Sequence, residues 1–93
     1  VNPNRPIQVL YRAPGAADWE VWDIDRAMAR ITELVKKTRD ETFIEKLSNG
    51  KLVNMTPAIF ALGGATLEIE FNHICQKLMR GLGVVAIENQ ARI

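Results

Sequence analysis

One stretch constrains this chain more than any other: an amphipathic helix that hands directly to an apolar strand. Leu67, Phe71, Ile74, Cys75, Leu78 and Leu82 recur at steps of three and four, which lines one face of a helix with apolar groups. Gly63 and Gly64 interrupt whatever precedes it, and Thr66 is placed to cap the first turn. Glu68 and Glu70 stand where the positive end of the helix dipole favours carboxylates, with Lys77 and Arg80 near the other end. Gly81 and Gly83 offer the left-handed backbone that stops a helix, and Val84-Val85-Ala86-Ile87 then reads as a buried strand. Both pieces need cover from the chain upstream.

That upstream chain starts with Val1 to Pro6, whose two prolines and two asparagines predict an extended tail. Ile7 to Arg12 alternates weakly and is read as the first strand, ended by Ala13-Pro14-Gly15. Ala16 to Trp22, which holds both tryptophans, is read as a loop or bent segment. From Asp23 the period changes. Ile24, Ala27, Met28, Ile31, Leu34 and Val35 form an apolar stripe opposite Arg26, Arg30, Glu33 and Lys37, the mark of a first long helix capped by Asp23.

Past Lys37 the stripe loses phase, and two readings compete for residues 42–55. Thr38 to Glu41 resembles a capping box that would start a second short helix. Alternatively, Asn49-Gly50 is a two-residue turn joining strands at Thr42 to Leu47 and Lys51 to Met55, and this hairpin is preferred because apolar residues flank the turn on both sides. Thr56-Pro57 carries a helix-start signature, so 57–62 is read as a short helix, with an edge strand as the other possibility.

Strand, helix, hairpin, helix, strand is the order of a ferredoxin-like plait (βαββαβ): an α+β two-layer sandwich with two long helices on one face of a small antiparallel four-stranded sheet. A three-stranded βαβαβ layout is the alternative. At 93 residues the chain fits a single domain, 1–93, with one core. An apolar fraction of 47% and a charged fraction of 25% match ordinary globular proteins and argue against disorder. A formal net charge of +1 gives no global pull toward nucleic acid or acidic lipid. No apolar run is long enough for a membrane span, and no secretory pattern opens the chain, so no membrane partner is expected. Cys75 is the single cysteine, which forbids an internal disulfide and sets a cytoplasmic location as the expectation.

Chemistry-bearing residues are sparse. Glu70-x-x-His73 is the step used by four-helix di-iron sites, but it occurs once where two are needed. Cys75 lies on the apolar stripe and His73 points elsewhere, so the two cannot share a metal within one helix. No nucleophile elbow, dinucleotide fingerprint or phosphate loop is present, and neither a metal nor a cofactor is expected.

The expected function is therefore a non-enzymatic protein-interaction or assembly module, partnered by itself as a homo-oligomer or by another protein. Trp19 and Trp22 are its candidate partner-binding residues, because tryptophan is enriched in interface hot spots. An alternative is nucleic-acid binding by the basic side of the first helix through Arg26, Arg30, Lys36, Lys37 and Arg39. A second alternative is a small-ligand regulatory domain with Arg12 and Gly15 as ligand candidates. Arg12-Ala13-Pro14-Gly15 is similar to the strand-end turn of ACT-type amino-acid-sensing domains, a likeness that stops where Ala16 to Trp22 intervene before the helix.

Overall fold

A computed structural model describes residues 2–90. In chain order the elements are β1 (Val9–Tyr11), β2 (Glu20–Trp22), α1 (Ile24–Thr42), β3 (Ile44–Lys46), β4 (Leu52–Gly63), α2 (Ile69–Leu82) and β5 (Val84–Asn89). The class is α+β as expected, with two helices and five strands that pair in both senses. The run from β2 to β5 keeps the βαββαβ order, with β1 added in front. β1 and β2 form an antiparallel pair, while β4 is central in β3-β4-β5, antiparallel to β3 and parallel to β5. The residues cluster into two units that divide between Leu34 and Val35.

In the first unit, Val9 faces Trp22 and Tyr11 faces Glu20 across the β1-β2 ladder. The segment expected to be a loop thus ends in a strand carrying Trp22. Ala13-Pro14-Gly15-Ala16 makes a tight turn, in which the Ala16 N–H donates to the Ala13 carbonyl at 3.0 Å and Gly15 takes φ 78. Proline second and a positive-φ glycine third is the signature of a type II turn. Asp23 caps α1 as expected: the Arg26 N–H donates to its Oδ1 at 2.9 Å.

α1 continues to Thr42, through the residues where a new capped helix was one of two readings. Loss of apolar phase does not break a helix, because the backbone ladder is indifferent to which face is greasy. Thr42 ends it with its hydroxyl donating to the Thr38 carbonyl at 2.7 Å.

The preferred hairpin is present in the second unit, with a longer loop. The Leu47 N–H donates to the Lys51 carbonyl and the Gly50 N–H to the Leu47 carbonyl, both at 2.9 Å, so Ser48, Asn49 and Gly50 form the connection. Gly50 takes φ 80, as expected for a three-residue loop closed by a left-handed residue. Between the pairs Ile44–Met55 and Lys46–Leu52 the register slips by one, and Asn54, at φ 45, is the left-handed residue there.

β4 then runs through Thr56-Pro57 to Gly63, so the short helix read over 57–62 is a strand. Pro57 fits because the parallel ladder is irregular around it. Thr56 pairs with Val84 and Phe60 with Ala86, leaving two extra residues on β4 where no regular donor is required.

α2 begins at Ile69 after Glu68, which adopts an extended backbone and makes no side-chain cap, so Thr66 is not the cap. Gly83 stops α2 in the left-handed region (φ 86), its N–H donating to the Arg80 carbonyl at 3.0 Å, and β5 begins one residue later. The Gly83 carbonyl accepts from the Thr56 N–H at 2.7 Å, which fastens the end of the crossover to β4. Val84 and Thr56 are fully buried at this joint. The Thr56 hydroxyl lies 2.6 Å from that of Thr42, so the buried polar group is satisfied.

Candidate functional site

Parallel strands joined by a crossover helix place a crevice at their carboxyl ends, where ligands of open α/β sheets bind. Here the crevice is an open groove of about 510 Å³ between α2 and the ends of β4 and β5. Leu67, Phe71, Cys75 and Met79, spaced by four, supply one apolar wall, and Ala61, Gly63 and Ile87 supply the other. Glu88, Asn89, Asn72 and Gln76 add polar groups.

Several of those polar groups hold the backbone. The Asn89 carboxamide donates to the Gly64 carbonyl at 3.2 Å, and the Gln90 N–H donates to the Gly63 carbonyl at 3.2 Å, clasping the two strand ends. A Cβ on Gly63 would lie 3.3 Å from the Asn89 side chain, so glycine allows this approach. The Asn72 carboxamide donates to the Leu67 carbonyl at 3.2 Å, tying the loop before α2 to its second turn. With its apolar walls, the groove suits an apolar group. Reading the sequence missed Asn89 and Asn72, whose only advance signal was a carboxamide beside a strand end and a helix start.

The tryptophans have different surroundings. Trp22 stacks on Tyr11 with ring centroids 4.1 Å apart and planes at 26°, and the Arg26 guanidinium sits 3.9 Å from its centroid. Its indole N–H donates to Glu20 Oε2 at 3.0 Å, so Trp22 is held within its own unit. Trp19 is 58% exposed, with the Arg12 guanidinium 4.9 Å from its ring centre. Arg12 thus lies over Trp19, and Gly15 has open space beside it, a Cβ there meeting nothing within 4 Å.

Most of the basic candidates on α1 are engaged locally. Arg30 pairs with Glu33 at 2.8 Å, and Lys36 pairs with Asp40. The Arg39 Nε–H donates to the Leu82 carbonyl at 2.8 Å, and its guanidinium lies 4.4 Å from the Phe43 centroid. With Arg26 on Trp22, Lys37 is the one of the five without an assigned partner among these contacts. Interleaved carboxylates cancel much of the field that a phosphate backbone would need.

His73 lines a separate shallow surface with Gln76, Lys77 and Arg80, whereas Cys75 lines the groove, as their helical offset requires. Among the described residues, no cluster of three or more His, Cys, Asp or Glu side chains is placed to hold a metal ion, and no helix is long and apolar enough to cross a membrane.

No family model matches the chain. Known proteins do. The chain is 42% identical over 92 residues to the formate dehydrogenase subunit alpha of Megalodesulfovibrio gigas, and 38% identical over 92 residues to the formate dehydrogenase 2 subunit alpha (cytochrome c-553) of Nitratidesulfovibrio vulgaris. It is 39% identical over 92 residues to the major subunit of the nitrate-inducible formate dehydrogenase of Escherichia coli. These are enzyme subunits. Each match takes in 99% of this chain, which spans only 9% of the length of each of these relatives.

These similarities overturn three expectations. A free-standing, non-enzymatic assembly module does not describe a chain matched end to end by pieces of dehydrogenase subunits. The exclusion of enzymes fails for the same reason, since the relatives are enzyme subunits and this chain spans only 9% of the length of each. Nucleic-acid binding has no support from the relatives.

Proposed function

We propose that this chain is a building segment of the large subunit of a formate dehydrogenase. The carrying observation is identity of 38–42% sustained over 92 residues with three such subunits. In this role the segment contributes a strand-helix-strand unit and an aromatic hairpin to a larger body, and the groups that react with formate belong to the rest of that body.

The distribution of apolar surface supports the reading. None of the 14 residues of α2 is buried despite its apolar stripe, and on β4 Phe60 and Leu62 are 63% and 66% exposed. Contiguous apolar surface of this kind marks contact with more protein. Other chains of a multi-subunit enzyme are the partners of the assembled subunit.

A segment exchange tests the proposal. Residues of this chain replace the matched stretch of the Escherichia coli nitrate-inducible major subunit, and the assembled enzyme is assayed for formate oxidation. In that reaction formate yields carbon dioxide, a proton and two electrons, the electrons passing to an added redox dye. The expected outcome is an assembled, active chimera. Loss of assembly or activity, when the matching segment of the Nitratidesulfovibrio vulgaris subunit supports both, would refute it.

A further inference from the structure

The two edges of the β3-β4-β5 sheet are unlike, and the difference shows where the sheet continues. β3 is a poor template for a further strand: it has three residues, two of them the charged Glu45 and Lys46. Short, charged edges are how proteins discourage strand addition. β5 has six residues and opens with Val84-Val85-Ala86-Ile87, apolar on both of its faces, without proline, lysine or arginine. Runs of this kind belong to parallel strands covered on both faces, which lie inside a sheet rather than at its border. Yet β4 is the one neighbour of β5 among the described residues.

The hydrogen bonds assign the open groups. Gln90 donates to Gly63 on β4, and by the two-residue repeat of a strand the N–H groups of Ala86 and Glu88 also face β4. The N–H of Ile87 then points the other way, whereas that of Val85 donates to the Thr56 carbonyl, because Pro57 has no N–H with which to close the Thr56–Val84 pair otherwise. We infer that a strand from elsewhere in the same large subunit pairs with this edge of β5 and makes it an interior strand. The inference rests on the proposed function. The occupant follows from the length of the relatives: this segment spans 9% of each, so far more of the same polypeptide is at hand than of any second copy.

Residue-resolved hydrogen exchange tests this in the large subunit carrying the segment, with the isolated 93-residue chain as reference. The Ile87 amide is expected to exchange on the order of 1000-fold more slowly in the subunit than in the isolated chain, reaching the protection of Ala86 and Glu88. Exchange at an unprotected rate at Ile87, with Ala86 and Glu88 protected, would overturn it. Protection that vanishes on dilution from dimer to monomer would assign the edge to a second copy and also overturn it. Failure here in a subunit that oxidises formate leaves the proposed function standing, whereas an inactive segment exchange counts against that function and not against an edge found protected.

Discussion

Two glycines, two residues apart, should respond to the same substitution with opposite signs. Gly81 lies within α2, and a Cβ there meets nothing within 4 Å, so Gly81→Ala is expected to stabilise by about 0.5–1 kcal/mol through the smaller loss of backbone freedom on folding. Gly83 stands at φ +86, and an added Cβ would lie 2.8 Å from the Asn54 carbonyl oxygen and 3.3 Å from the Met55 Cα. The left-handed conformation costs an alanine about 1–2 kcal/mol. Forcing backbone apart at a packed joint adds about 1–3 kcal/mol. Gly83→Ala should therefore destabilise by about 2–5 kcal/mol.

Hydrogen exchange of the α2 and β5 amides reads the effect directly, since about 1.4 kcal/mol is a tenfold change in protection. Gly83→Ala should lower protection by roughly 30-fold to 4000-fold, and Gly81→Ala should raise it by up to about fivefold. Gly83→Asn separates the two causes. Asparagine tolerates the left-handed region, so it should recover about 1 kcal/mol at most if the contact with Asn54 dominates. A Gly83→Ala protein with wild-type protection, or one shifted in the same direction as Gly81→Ala, would refute the reasoning.

Three further outcomes follow from the same packing. Asn54→Gly should be neutral or stabilising, whereas Asn54→Val should cost about 1–2 kcal/mol because a β-branched residue resists positive φ; thermal unfolding of the two variants checks the order. Thr56→Val keeps the shape of a buried side chain but removes the bond to the Thr42 hydroxyl, so it should cost about 1 kcal/mol and should lose little more when combined with Thr42→Val, read as a double-mutant cycle. Arg26→Leu should change the tryptophan emission and cost about 0.5–1 kcal/mol, because the guanidinium leaves the Trp22 face; unchanged fluorescence would contradict that stack in solution.

The parts of the fold legible in the sequence are those built from near neighbours. α1 announces itself through Asp23 and its apolar stripe, and α2 with β5 through spacing, Gly83 and four apolar residues. The parts that escaped are decided by partners far along the chain. Thr56-Pro57 has the local chemistry of a helix start, but pairing with β5, more than 20 residues later, holds 57–62 extended. β2 has three residues, too few for alternation to register, and exists through its ladder with β1. Of the site candidates, Trp22 and Arg26 come together in one stack, and Arg12 lies over Trp19. The function escaped for a different reason. A chain that spans 9% of each relative's length need not include the side chains that perform the relatives' chemistry, so the lack of a catalytic constellation in it says nothing about that chemistry.

Gly83 alone separates the last turn of α2 from the first residue of β5, and its carbonyl is fastened to Thr56. Such a joint has no slack, so the rod and the ribbon it links must travel as one piece, and a peptide tag spliced in there would tear the crossover open. The Ser48-Asn49-Gly50 bend, exposed and held mainly by its own amides, is the place where foreign sequence can be threaded in without disturbing that linkage.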